Sequence, residues 1–299
     1  MGEIYALSCA LVWAFAVVFF RRSGETMPPL ALNLFRVGIS SALFMVTLLA
    51  GGQGLWHRAP LGDYLLLIGS GVIAIALSDT LFHAALNRVG AGINAVVDTL
   101  YSPLTALGAF AFLGERLDGW QVAGMLLVIS SVVVATRMAP PAGTSRRTLV
   151  SGVLLGVASM VALAAGVVMA KPVLADADVV WATSMRQLGA LAVLAPAALF
   201  LPGRRERLRA LRPGAGWKYA IPGTILGSYV ALRLWIAGMK YTAVGKAAVL
   251  NQTSTIYTLV LASLLLGEKF TRRTALAAAL ALAGVVLVLR PWAVSASAG

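Results

Sequence analysis

The chain has 299 residues, 60% of them hydrophobic and 12% charged, and its mean hydropathy is +0.87. A soluble domain carries about 25% charged residues, so lipid rather than water is the solvent that suits this chain. The net charge of +13 is no sign of a nucleic-acid partner: the basic residues lie in short runs between apolar stretches, where membrane-flanking residues lie, and none is interleaved with aromatics on a soluble face.

Ten stretches approach the ~20 apolar residues needed to cross a ~30 Å hydrocarbon core. Span 1 covers residues 3–20, with Cys9 and Trp13 inside it and Arg21-Arg22 after it. A signal peptide has its basic residues first, so this segment is expected to be retained. Span 2 (28–50) carries Phe35 and Arg36. Span 3 (62–83) carries Asp79, Phe82 and His83, and span 4 (91–113) carries Asp98 and Tyr101. Span 5 (119–136) is rich in small residues such as Gly124, Ser130 and Ser131. A non-apolar break with Pro140, Pro141 and Gly143 follows. Span 6 (148–170) and span 7 (179–201, with Arg186) come next. Span 8 (217–238) holds Tyr229, Arg233 and Trp235. Span 9 (243–266) holds Asn251, Gln252 and Tyr257, and span 10 (272–289) is again rich in Ala and Gly. The small residues of spans 5 and 10 suit close helix approach in lipid, so this pair reads as scaffold. Backbone groups in lipid must bond within their own segment, so the spans are expected to be helices.

The two halves repeat. Leu113-Gly114-Glu115-Arg116 recurs 153 residues later as Leu266-Gly267-Glu268-Lys269, and the same offset relates Gly92 to Gly245 and Arg137 to Arg290. Near the start of each half the offset is 150, pairing Arg36 with Arg186 and Arg21 with Lys171. Repeated matches at equivalent places mark a duplicated unit. The expected division is a first repeat over 1–137, a linker over 138–147 and a second repeat over 148–299. With five spans per half, the second half starts on the opposite side of the membrane. The expected fold is therefore an all-α integral membrane protein of ten transmembrane helices, two inverted five-helix repeats around a central cavity, with the substrate site near the midplane.

Fifteen Lys and Arg residues follow spans 1, 3, 5, 7 and 9, against six on the other side. The positive-inside rule places the richer side in the cytoplasm and both termini outside.

Charged and polar groups inside spans are costly and mark pathways or fixed pairs. Under the 153 offset Arg233 falls one residue from the mate of Asp79, so these two are expected to meet across the cavity. There they either hold a zwitterion, gate the path, or form a static pair; otherwise Arg233 snorkels to the interface. His83, one turn after Asp79, is either a polar cavity group suited to proton exchange or merely the end of span 3 at the interface. Asp98 aligns with Asn251 and lines the cavity or bonds to Arg36 or Arg186. Trp13, Tyr101 and Trp235 lie at span depth and are either cavity walls for an amphipathic solute or ordinary packing. Trp56, Trp120, Trp181, Trp217 and Trp292 sit near span ends and read as interfacial belt residues. No phosphate-binding Gly-rich loop ending in Lys-Ser or Lys-Thr is present, so ATP does not drive the protein directly. Two histidines and one cysteine leave no metal cluster in view, and no cofactor or catalytic constellation is expected.

Residues 85–117, with Gly92, Pro103 and Leu113-Gly114-Glu115-Arg116, resemble the fourth-helix signature of the EamA domain, a family of the drug/metabolite transporter superfamily. The second copy, 238–270, is similar but has Ile256 where the first has Pro103, which implies that a bend there is absent. The resemblance implies a ten-helix, basket-like monomer that exports small metabolites. Within the family the chain resembles bacterial aromatic amino acid exporters of the inner membrane. It implies an aromatic or neutral amino acid as substrate, moved by alternating access through a cavity lined by Trp13, Tyr101 and Trp235. A proton-coupled multidrug or quaternary-cation exporter is the alternative the superfamily offers. The expected partners are thus a small-molecule substrate and the lipid bilayer.

Overall fold

A computed structural model describes residues 1–289 apart from 53, 57, 115, 138–143, 175–176 and 242–249, and apart from the side chains of 239 and 240. The described residues form helices and turns, with no strand among them. In chain order they are α1 (Gly2–Ser23), α2 (Pro29–Ala50), α3 (Leu61–Gly71), the π-helix π1 (Val72–Leu77), α4 (Ser78–Asp98), α5 (Tyr101–Leu113) and α6 (Gly119–Ala135). Then follow α7 (Arg146–Leu174), α8 (Val179–Phe200), α9 (Arg204–Ala210), α10 (Trp217–Thr224), the second π-helix π2 (Ile225–Val230), α11 (Ala231–Tyr241), α12 (Ser254–Leu266) and α13 (Arg272–Leu289).

Local chemistry sets the ends. Proline occupies or precedes the first turn of α2 and α3, where its missing N–H costs no bond. Asp118 and Gln121 form a reciprocal capping box at the start of α6. α1 carries Glu3 in its first turn and Arg21 and Arg22 in its last, complementing the helix dipole. Gly114 (φ 70°) and Gly267 (φ 67°) close α5 and α12 in the left-handed region, where a side chain would be strained.

Seven helical runs are long and apolar enough to cross a membrane, and three shorter apolar helices accompany them, Tyr101–Leu113, Gly119–Ala135 and Leu250–Leu266. One of the seven, Leu61–Asp98, has 38 residues. As a straight helix it would reach about 57 Å, nearly twice the ~30 Å hydrocarbon thickness. Gly90, at φ 81° and ψ 173°, breaks it. The stretch before Gly90 corresponds to the third expected span. Residues 91–98, together with α5, occupy the fourth.

The repeat is visible in the elements themselves. α2 and α8 have bounds 150 residues apart, while α5 with α12 and π1 with π2 have bounds 153 apart. The chain closes Ile256 into a helix of the same extent as the one containing Pro103, so the substitution alters no boundary. The repeat mates Glu115, Gly245 and Arg290, and most of the break 138–147, lie outside the described residues.

The halves exchange elements. α1 packs on α10, π2, α11 and α12 of the second half, and α7 packs on α3, π1, α4 and α5 of the first. α2 lies against α8, and α6 against α13. In lipid no hydrophobic drive holds helices together, so close fit must do it. A Cβ on Gly124 would come 2.5 Å from the Gly284 carbonyl, and one on Gly284 would come 2.6 Å from that of Gly124. Spans 5 and 10 thus touch backbone to backbone, as their small residues predict. Ser78 and Ser159 bond each other's carbonyls at 2.8 Å in both directions, joining α4 to α7.

One sequence expectation is corrected. Trp181 is no belt residue: it is 2% exposed, and its indole N–H donates to the Leu55 carbonyl at 2.9 Å. The stretch after α8 contains a short arginine-rich helix, α9.

Candidate functional site

The site is built where α2, α4 and α8 meet. Asn33 and Arg36 stand one turn apart on α2 and face the same way. The Asn33 amide donates to the carbonyls of Ile75 and Ala76 at 2.9 and 3.2 Å, and to Thr80 Oγ1 at 2.9 Å. Both carbonyls belong to π1, whose wide turns leave acceptors out of the regular ladder. Arg36 is 7% exposed. Its guanidinium donates to Asn33 Oδ1 at 3.3 Å and to Ser228 Oγ of π2 at 3.2 Å, and it forms an ion pair with Asp79. Phe20 supports it from α1, with its ring centroid 5.9 Å from the guanidinium carbon.

Asp79 therefore pairs with Arg36, not with Arg233 as the repeat alignment suggests. Arg233 is exposed on α11 and donates to the Tyr229 hydroxyl at 2.9 Å, which in turn meets Thr47 at 2.7 Å. Rotation about the helix axes decides this. One residue of difference on a helix is a turn of about 100°, enough to carry Arg233 out of the site.

Arg186 on α8, the repeat mate of Arg36, is half-buried and within Coulombic range of Tyr101 and Asp79. Its Nε is buried without a hydrogen-bond partner. Arg36 thus pairs directly with Asp79, while its repeat mate Arg186 acts on the same carboxylate only by longer-range Coulombic attraction. Asp98 lies in Coulombic range of Asp79 and accepts from the Asn94 amide at 3.3 Å on each oxygen, rather than from Arg36 or Arg186.

His83 does not end a helix at the interface. α4 continues past it, and it is 1% exposed. Phe20 and Phe82 present their rings edge-on at 5.1 and 5.4 Å. Both ring nitrogens are buried without a partner. A buried, unsatisfied imidazole costs about 1–3 kcal/mol, so its presence calls for a purpose.

The remaining candidates frame this cluster. Trp13, half-buried on α1, lies 6.2 Å from Phe82. Tyr101, at the head of α5, and Trp235, on α11, are half-buried. Asn251 is half-buried, with its Oδ1 unpartnered, while its neighbour Gln252 donates to Ser102 at 3.3 Å and links the repeat-mate spans 4 and 9. The sequence singles out Arg36 as a charge inside an apolar span, but not Asn33. The signal available for Asn33 was two polar residues at a helical spacing inside an apolar span.

A third feature concerns the repeated Leu-Gly-Glu motif. The Glu268 carboxylate accepts the backbone N–H groups of Ala91 at 2.7 Å and Gly92 at 2.8 Å. It caps the half-helix that restarts after Gly90, where a helix N-terminus favours an anion. Gly90 is required by its positive φ, and a Cβ there would meet Glu268 Oε1 at 2.5 Å.

Among the described residues no group of acidic, histidine and cysteine side chains has the arrangement of a metal site. The model of the EamA-like transporter family matches residues 1–137 and again 150–290. An uncharacterized transporter of Archaeoglobus fulgidus is 22% identical over 284 residues, covering 93% of this chain and 95% of its own. An uncharacterized protein of Pseudomonas aeruginosa is 26% identical over 224 residues, covering 74% of this chain and 72% of its own. A solved protein structure aligns over 100% of this chain and 99% of its own with a TM-score of 0.67 at 21% identity, a likeness of fold. With both halves matched by one family model and apolar helices throughout, the chain is a multi-pass membrane protein and belongs to the EamA-like transporter family of the drug/metabolite transporter superfamily.

Proposed function

We propose that the protein exports small zwitterionic metabolites, foremost aromatic or neutral amino acids, by alternating access. The arrangement proposed is ten transmembrane helices in two inverted repeats, 1–137 and 148–299, joined by 138–147 around a central cavity. The observation that carries the reading is the buried Arg36–Asp79 ion pair, with an unpartnered His83 on the same helix face and a half-buried Arg186 of the other repeat within Coulombic range. Ions at this depth are expensive unless something binds there. Arg186 has donor capacity free for a carboxylate, Asp98 offers an acceptor to an ammonium, and Trp13, Phe82 and Tyr101 supply the apolar wall for a ring. The exchange of α1 and α7 between halves supports a symmetric rocking of one half against the other. The proposed setting is a bacterial inner membrane, with a monomer inserted arginine-rich side inward.

The test is efflux of labelled phenylalanine or tryptophan from proteoliposomes loaded with a substrate panel, with and without a pH gradient. Stereospecific efflux of an amino acid is expected. Folded protein that moves none of the panel overturns the reading. The second reading, a proton-coupled exporter of organic cations, draws on Asp98, a membrane-embedded carboxylate whose partner is a neutral amide. Drug-resistance growth that depends on Asp98 and on Asp79, with no amino acid flux, would favour it.

A further inference from the structure

The offset between repeats changes from 150 before α9 to 153 after it, so the second half has gained residues in the segment between α8 and α10. The first half joins the equivalent helices through 51–60, which contains one arginine, Arg58. The segment 201–216 contains five, Arg204, Arg205, Arg207, Arg209 and Arg212. The repeat fold does not require this addition.

Arg207 has a structural task. Its guanidinium bonds the carbonyls of Pro202 at 2.7 Å and Ala198 at 3.3 Å, as well as that of Leu201, and so finishes the C-terminus of α8. The other four are exposed, and among the described residues none of their side chains has a hydrogen-bond or ion-pair partner. They surround a hollow of about 1040 Å³, and Arg209 and Arg212 also border a second of about 460 Å³. The wall of the larger hollow is completed by Leu199, Phe200 and Leu201, which are 42, 83 and 49% exposed. Apolar side chains at the end of a membrane helix face acyl chains, so the guanidiniums one turn beyond stand at headgroup level. Basic pockets beside transmembrane helices suit anionic headgroups, and arginine matches phosphate oxygens with paired donors.

We propose that Arg204, Arg205, Arg209 and Arg212 form a site for an anionic phospholipid, with the phosphodiester among the guanidiniums and an acyl chain along Leu199–Leu201. The ligand is a structural lipid, distinct from whatever the central site carries.

Native mass spectrometry of the purified full chain, titrated with phosphatidylglycerol or phosphatidylcholine, tests it. The parent is expected to retain phosphatidylglycerol about ten-fold more than phosphatidylcholine. R204Q/R205Q/R209Q/R212Q should lose that preference, whereas R88Q/R146Q/R147Q/R272Q, which removes four exposed charges from other helices, should keep it. Equal loss in both variants, or none in the first, overturns the proposal, as does displacement of the lipid by inorganic phosphate at equal concentration. If the first variant is not monodisperse, R204Q/R205Q is read by the same criteria. In the parent, retention should also fall as salt is raised, because exposed guanidiniums are screened. Salt-insensitive retention overturns the proposal too.

Discussion

Asp79 and Arg36 hold each other in a place where neither is tolerable alone. Removing one member of a buried pair leaves an uncompensated charge and costs about 3–5 kcal/mol. Asp79→Ala is therefore expected to lower the unfolding free energy by about that amount, measured by unfolding in mixed micelles, and to abolish substrate efflux. The double substitution Asp79→Ala/Arg36→Ala should be less destabilised than the sum of the two single ones, because the pair is coupled. His83→Phe, which removes two unpartnered nitrogens from an aromatic nest, should raise stability by about 1 kcal/mol while reducing flux. Unchanged flux would make His83 a packing residue. At this scale the sequence exposed which groups are anomalous, since Asp79, His83, Asp98 and Arg36 stand out in apolar spans. It did not expose their partners. The pairing of Asp79 with Arg36 depends on helix rotation and on Asn33 steering the guanidinium, and neither is written in residue spacing.

The helices were largely legible as elements because apolar length and Gly or Pro punctuation fix them. The exceptions have local causes. The third and fourth spans run together in one helical tract, with Gly90 as the only break. Asn87-Arg88-Val89-Gly90 marks that break with a charge and a glycine, but its cap comes from Glu268, in the loop just past α12 and far along the chain. The Leu-Gly-Glu repeat was visible while its task was not. Glu268→Ala is expected to cost about 0.5–2 kcal/mol through loss of this cap, with Glu268→Gln retaining part of it, read as a shift in melting temperature. Gly124→Val should be worse. It drives a branched side chain into the Gly284 carbonyl, and overpacking of this kind costs about 1–3 kcal/mol. A melting temperature equal to the parent's would mean that α6 and α13 part more readily than their contact suggests.

Across the whole molecule, the duplicated order of elements followed from offsets of 150 and 153, and so did the place where the offset changes. The exchange of α1 and α7 between halves did not, because helix neighbours in a bundle are set by packing and not by chain order. The inverted arrangement predicts opposite exposure for equivalent loops. In a Cys9→Ser background, Arg205→Cys should react with a membrane-impermeant maleimide only from the cytoplasmic side and Trp56→Cys only from the outside. Labelling of both from one side would exclude the arrangement.

π1 and π2 occupy the same place in each half, yet among the described residues the first alone has an asparagine bound to its carbonyls, since the position equivalent to Asn33 is Thr183. One amide thereby ties the pliable turn of the first half to Arg36, and through it to Asp79. Under the proposed function, a cargo that draws Arg36 toward itself also loosens the splint on π1, whereas π2 loses only the bond from Arg36 to the Ser228 hydroxyl and keeps that between Tyr229 and Thr47. The two pseudo-equivalent arms should then yield in sequence rather than in unison, giving the transport cycle an order that the duplication by itself would not impose.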